Sequence, residues 1–209
     1  LRAVIDSYPG GRFLVGEVNA PIDQARAHCV EGRGLNLVFL FRSLKAALNP
    51  VAIRALVDQY ERLFPEPLLP TWVFGNHDRA RRISRLRGDF ARAKLNAAWQ
   101  LTARGVPFLY YGDEVGMVQR PIPARDSKDA LVQRMRGVPQ FVYDAIRAVL
   151  GESINRDECR TPMQWDASPT VGFCPPGGTP WLPPPKDTEG RTVADQAADP
   201  DSLLACYRR

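Results

Sequence analysis

Two carboxylates in this chain stand where an α/β enzyme keeps its working groups. Glu17 closes the apolar run Phe13-Leu14-Val15-Gly16, and Asp78 lies just beyond the run Thr71-Trp72-Val73-Phe74-Gly75. In α/β barrels the chemistry sits at the C-terminal ends of the strands. A carboxyl group held there suits general acid/base work. Asp113 and Glu114 follow a further apolar run, Val106 to Tyr111. An acid after a strand also serves as a helix cap or a solvated loop residue, so position alone assigns no role. The segment Gly75-Asn76-His77-Asp78 is sharper. Three hydrogen-bonding side chains in a row after an apolar strand make either an Asn/Asp turn or a cluster that grips hydroxyl groups and stabilises developing positive charge.

The elements that position these residues follow from periodicity. The runs 13–18, 35–41, 71–75 and 106–111 are continuously apolar rather than alternating, which predicts strands covered on both faces and a parallel sheet. Between them, Ile53, Leu56, Val57, Tyr60 and Leu63 recur at helical spacing, with Asn49 as N-cap and Pro50 in the first turn. Phe90, Ala93, Ala97 and Leu101 mark a second helix over 89–103, with Gly105 just past its end. Strands alternating with helices predict an α/β fold of β/α units over residues 1–117. Residues 118–190 hold most of the prolines and little periodicity, with one or two helices in 129–150 and a Pro/Gly-rich loop around Trp181. So long an irregular stretch in a compact domain is usually functional. Residues 191–209 read as the start of a last helix.

Composition narrows the function classes. With 44% hydrophobic and 24% charged residues, the 209-residue chain has ordinary globular material and enough of it for a core. No apolar run reaches the eighteen or so residues that a membrane helix needs, and the first residues have no leader-like pattern. No membrane partner is expected. The formal charge of +5 comes mainly from arginines spread along the chain, densest at Arg79, Arg81, Arg82, Arg85 and Arg87. Solvated helix faces account for such a run more simply than a phosphate-binding patch, so no nucleic-acid partner is expected. Cys29, Cys159, Cys174 and Cys206 have no CxxC spacing, and only two histidines accompany them. That pattern points away from zinc and toward free thiols in a reducing cytoplasm, with no metal and no cofactor.

Four blocks together carry a resemblance. Trp72-Val-Phe-Gly-Asn76-His77-Asp78-Arg-Ala-Arg81 resembles the NHDxxR motif of the α-amylase superfamily, glycoside hydrolase family thirteen. The Glu17 strand resembles the one that carries that family's acid/base glutamate. Residues 105–117 look like the stretch around its eighth strand. Arg156-Asp-Glu-Cys-Arg160-Thr-Pro-Met-Gln-Trp165-Asp166 is similar to the RDxxRTPMQWD signature of the α-glucosidase and oligo-1,6-glucosidase branch. The likeness runs from residue 1 to 209 and weakens between Val118 and Glu152. It implies the C-terminal part, about strands five to eight, of a (β/α)8 barrel. It implies a retaining mechanism on terminal α-glucosidic bonds of short oligosaccharides or disaccharides. By match, Glu17 is the general acid/base, with surroundings that raise its pKa. Asp78 binds hydroxyls of the reacting ring and helps distort it, and Asn76 and His77 grip the same hydroxyls. Arg81 lines the pocket near Asp78, and Arg156 holds the terminal glucose. For both arginines a salt bridge that positions a loop is the competing reading. Val18, after the acid/base glutamate, resembles the pattern of enzymes that favour α-1,4 bonds.

The same resemblance leaves a gap. The family's nucleophile is an aspartate in a GxRxD motif that should precede Leu1, and Asp6 lies in a stretch matching the helix before the fifth strand. The expectation is therefore a chain that lacks strands one to four, is inactive alone, and needs the other half of its barrel. Rival readings are a transglucosylase or isomerase of the same superfamily, a non-catalytic carbohydrate-binding or transporter-associated relative, and a basic nucleic-acid-binding module around Arg79 to Arg87.

Overall fold

A computed structural model describes residues 1–150 and 154–209. Gly151, Glu152 and Ser153, inside the long irregular stretch, lie outside the described residues. The chain divides into two compact units, residues 1–74 with 99–108, and residues 75–98 with 109–209.

In chain order the first elements are α1 (Arg2–Asp6), β1 (Val15–Gly16), α2 (Ile22–Ala27), β2 (Leu37–Val38), α3 (Pro50–Leu63) and β3 (Thr71–Val73). They are followed by α4 (Arg82–Arg85), α5 (Phe90–Thr102) and β4 (Val106–Phe108). β1 pairs parallel to β2 with Val15 opposite Leu37, and β3 pairs parallel to β4 with Thr71 opposite Val106. The strands are parallel, as continuous apolar runs predict, but shorter than those runs, and they form two separate pairs rather than one sheet. A side chain explains the break. Thr71 Oγ1 donates to the Val38 carbonyl at 2.8 Å and accepts from the Leu40 amide at 2.9 Å. These backbone groups of the β2 segment, which a ladder to β3 would use, are taken by a hydroxyl. Ser43 Oγ continues the seam, accepting from the Val73 amide at 3.1 Å.

The helices behind this seam follow local rules. In α3 the Asn49 side chain accepts from the Ala52 amide at 2.9 Å and Pro50 sits in the first turn, as the sequence predicts. Its buried face carries Leu56 and Tyr60. Tyr60 packs at a tilt against Trp72 (4.8 Å between centroids), Trp72 against Trp99 (5.1 Å), and Trp99 against Phe74 (4.9 Å). Each such pair adds roughly 0.5–1.5 kcal/mol beyond the area it buries. Gln100, from the last turns of α5, donates Nε2 to the carbonyls of Trp72 and Phe108, at 3.0 Å each, tying β3 to β4. Gly105 closes the corner into β4 at φ +132°, and a Cβ there would lie 2.5 Å from the Pro70 carbonyl. Only glycine fits.

The second unit continues with α6 (Ala130–Gln133), α7 (Gln140–Leu150), α8 (Val193–Ala197) and α9 (Leu203–Arg208). The first two supply the helices predicted within 129–150. Thr192 caps α8 and Ser202 caps α9 through their hydroxyls. Val115, Met117, Met163 and Leu204 form one buried cluster, and Ala124, Val132 and Tyr143 another. Gln196 ties the first together. Its Nε2 donates to Val115 O at 2.8 Å, and its Oε1 accepts from the Leu204 amide at 3.0 Å. Among the described residues no helix is long and apolar enough to cross a membrane.

Candidate functional site

The chain leaves β3 through Phe74 and turns at Gly75, where a Cβ would lie 2.3 Å from Asp113 Oδ2. Any side chain at this position would have to displace the Asp113 carboxylate. The next residues form an Asx turn, with Asn76 Oδ1 accepting from the Asp78 amide at 3.1 Å. The Asx turn, one of the two readings of the Asn-His-Asp run, is present, and Asp78 stands at its end.

Two guanidinium groups converge on that carboxylate. Arg160 Nη2 donates to Asp78 Oδ1 at 2.9 Å and Arg156 Nη1 at 3.3 Å. His77 Nε2 lies 3.5 Å from the other oxygen, Oδ2. Arg160 Nε also holds the His77 carbonyl at 2.8 Å, and the Cys159 thiol donates to the same carbonyl at 3.3 Å. Burial pushes the Cys159 thiol up to about 11, so at neutral pH it keeps its proton and remains a donor. The Asp78 side chain is 34% exposed and that of His77 55%, so both remain reachable from solvent.

Arg156 opens a short 3₁₀ turn, Arg156–Cys159, and Arg160 follows it; the N-cap Asn155 accepts from the Asp157 amide at 3.2 Å. Behind Arg156 stands Asp129, whose carboxylate is buried. Oδ2 accepts from Arg156 Nε at 2.7 Å and Oδ1 from Nη2 at 3.1 Å. Hydrogen bonding to Arg156 holds the Asp129 carboxyl below its usual range, and the bond to Asp129 in turn raises Arg156.

Arg81 requires a correction. The resemblance makes it a pocket-lining residue, yet it is 1% exposed. Its guanidinium lies 4.7 Å from the Tyr110 ring centroid and 4.6 Å from that of Tyr111, and it donates to the Tyr111 carbonyl. Its amide donates to Gln119 Oε1 at 3.1 Å, and Gln119 Nε2 donates to buried Glu158 at 3.2 Å. A cation enclosed by two aromatic faces supports the loop from below and offers no surface to a sugar.

Asn76, His77, Asp78 and Arg156 therefore come together in the second unit. Glu17 belongs to the first unit, exposed just past β1. Sequence reasoning missed Arg160 and Asp129. The signature contained Arg160, whose spacing of four from Arg156 was the available signal. For Asp129 only its place before an apolar run stood out, and that reads as a cap. It does cap α6, accepting from the Leu131 amide at 2.9 Å.

Known proteins resemble this chain along most or all of its length. The family model described as "Alpha amylase, catalytic domain" matches residues 1–209. The chain belongs to that family. It is 31% identical over its whole length to the "Probable alpha-glucosidase" of Rhizobium meliloti (strain 1021), covering 36% of that protein. It is 34% identical, over 86% of its length, to the glucan 1,6-alpha-glucosidase of Streptococcus pneumoniae serotype 4, covering 37% of it. Among solved structures, the trehalulose synthase MutB from Pseudomonas mesoacidophila MX-45 matches 97% of the chain and 40% of its own, with 28% identity and TM-score 0.78. A mutant isomaltulose synthase from Erwinia rhapontici NX5 in complex with D-glucose matches 93% of the chain and 38% of its own, with 26% identity and TM-score 0.76. The neighbours are (β/α)8-barrel enzymes, and the chain is a partial barrel domain. It spans under half the length of the relatives it matches.

Proposed function

We propose that this chain carries the acid/base side of a retaining α-glucosidase site acting on terminal α-glucosidic bonds of short oligosaccharides or disaccharides. The observation that supports it most is the Asp78 carboxylate, solvent-accessible and gripped on one oxygen by Arg156 and Arg160, within a matched catalytic-domain family. Glu17 protonates the glycosidic oxygen and later takes a proton from water. Asp78, oriented by the two arginines, accepts hydrogen bonds from ring hydroxyls that tighten as the ring flattens toward an oxocarbenium-like transition state. Asn76 shapes the turn and His77 donates to a hydroxyl. Arg160 joins Arg156 in binding the sugar held by Asp78.

In this reading β1 to β4 are strands five to eight of the barrel. The nucleophile comes from a segment outside these 209 residues, so the chain alone is inactive. The free cysteines suit a cytoplasmic site of action. Glu17→Gln and Asp78→Asn in the intact protein that carries these residues test the assignment. Each should lower kcat/KM on 4-nitrophenyl α-glucoside by at least about 100-fold, the scale of a lost acid/base or charge-stabilising group. Full activity in either variant sinks the role given to that residue, and normal hydrolysis by the 209-residue chain alone sinks the missing-nucleophile reading.

A second reading has its own support, because the solved neighbours named above are isomaltulose and trehalulose synthases. A glucosyl enzyme that passes its sugar to a second hydroxyl group uses the same residues. Product analysis on sucrose, maltose and isomaltose separates the two: glucose release marks hydrolysis, and a rearranged disaccharide marks transfer.

A further inference from the structure

We propose that Asp129 is a positioning residue, which fixes the Arg156 guanidinium so that its Nη1 edge faces Asp78. The inference rests on the reading of Asp78 as a residue of the sugar site, and it adds a member that no motif supplies. The Asp129 side chain has no solvent exposure, whereas Arg156 is 39% exposed. A long, half-exposed arginine beside a carboxylate ordinarily samples several rotamers. Here the buried carboxylate takes three hydrogen bonds from that one residue. Oδ2 accepts from the Arg156 amide at 3.2 Å and from Nε at 2.7 Å, and Oδ1 accepts from Nη2 at 3.1 Å. The side-on Nε and Nη2 pair is the geometry that fixes the guanidinium plane, and it leaves Nη1 pointing elsewhere. Nη1 lies 3.3 Å from Asp78 Oδ1.

Asp129 is itself clamped. Its amide donates to Asp157 Oδ2 at 2.9 Å, and the same oxygen accepts from the Lys128 amide at 2.5 Å and the Ser127 hydroxyl at 2.9 Å. Asp157 is 3% exposed and directly follows Arg156 in the chain. The order of support therefore runs from Asp157, through the 127–129 turn, to Asp129, Arg156 and Asp78. A positioning role differs from a stabilising one in a measurable way. Loss of the clamp should leave the fold standing and let Arg156 swing, so that hydroxyl binding in the transition state suffers more than ground-state binding.

The test uses the intact protein with Asp129→Asn and Asp129→Glu. In nitrogen-15 spectra of the arginine side chains, wild type should show a hydrogen-exchange-protected Arg156 Nε–H. That signal should be lost in Asp129→Asn and kept in Asp129→Glu. On 4-nitrophenyl α-glucoside, Asp129→Asn should lower kcat about 100-fold, the effect of a misplacement on the order of 1 Å, with KM within about three-fold. Asp129→Glu should recover at least ten-fold of that loss. Wild-type-like kcat in Asp129→Asn overturns the proposal, as does a glutamate variant no better than the asparagine one. A wild type inert on every α-glucoside sinks the glucosidase reading instead. The spectra then decide the clamp alone: a protected Arg156 signal surviving in Asp129→Asn overturns it, and its loss sustains it.

Discussion

Replacing Asp113 by asparagine should stabilise the protein at neutral and alkaline pH. Asp113 follows β4 in a 3₁₀ turn, and its Oδ1 is buried with no hydrogen-bond partner among the described residues. Burial pushes its carboxyl from 3.8 up to about 6, against the pull of the nearby Arg81 and Arg85 guanidinium groups. Below the unfolded value near 3.8 both states hold the proton and the site costs nothing. Between 3.8 and about 6 the unfolded chain releases its proton first, and stability falls. Above about 6 the penalty is constant. A shift of roughly two pH units corresponds to at most about 3 kcal/mol, and less to the extent that the half-buried residue is screened by water. Asparagine imitates the protonated acid in shape and charge. Urea unfolding followed by tryptophan fluorescence should therefore find Asp113→Asn and wild type alike near pH 4, and the variant more stable by about 1–3 kcal/mol at pH 8. A variant less stable than wild type at pH 8, with a gap that closes as acid protonates the carboxylate, would show that Asp113 works as an ion-pair partner of the arginines and refute the reasoning.

Three further perturbations test the architecture and the site. Gly105→Ala forces a Cβ against the Pro70 carbonyl at a φ of +132°, so it should destabilise by more than about 1 kcal/mol, read from the urea midpoint. Thr71→Val removes the hydroxyl that serves Val38 O and Leu40 N; the two buried backbone groups left behind should cost roughly 2–4 kcal/mol in the same assay. Arg160→Lys keeps the charge but has no planar fork to divide between the His77 carbonyl and Asp78. It should lower kcat/KM on 4-nitrophenyl α-glucoside by about 100-fold with little change in melting temperature, a ratio that a purely electrostatic role for Arg160 would not produce.

What the sequence made legible is what short-range chemistry decides. The α3 helix was readable because Asn49, Pro50 and five apolar residues at helical spacing lie within one window, and the cap bond to Ala52 is local. The Asn76–Asp78 turn was readable for the same reason, since its defining bond spans two residues. Strand pairing was legible in direction and illegible in extent. Nothing local to Thr71 shows that its hydroxyl will take groups more than thirty residues earlier. Arg81 was misjudged because the NHDxxR spacing ties it to Asp78 in sequence, whereas its burial depends on Tyr110 and Tyr111, some thirty positions on. Asp129 was invisible because its partner is 27 positions away, and its neighbours suggest only a helix cap.

The proline-rich stretch after Met117 reverses the usual expectation for irregular backbone. A loop without ladders must satisfy its buried amides and carbonyls in some other way. Here side chains do so. Glu158 Oε1 takes the Ile122 amide at 3.4 Å, Asn155 Nδ2 donates to the Ile122 carbonyl at 3.0 Å, and the Ser84 hydroxyl accepts from the Gln119 amide at 2.7 Å. Asp157 takes the amides of Lys128 and Asp129. Asn155, Asp157 and Glu158 are buried polar residues within the segment that also carries Arg156 and Arg160. The acids of the Arg-Asp-Glu-Cys-Arg run thus bind inward to the loop while its arginines turn outward to Asp78. One short turn serves both purposes, because consecutive side chains on it leave in different directions. That division explains why charged residues crowd a buried segment. It also requires that a substitution at Asp157, which touches neither Asp78 nor any residue of the Asn-His-Asp turn directly, be felt at the carboxylate through Arg156.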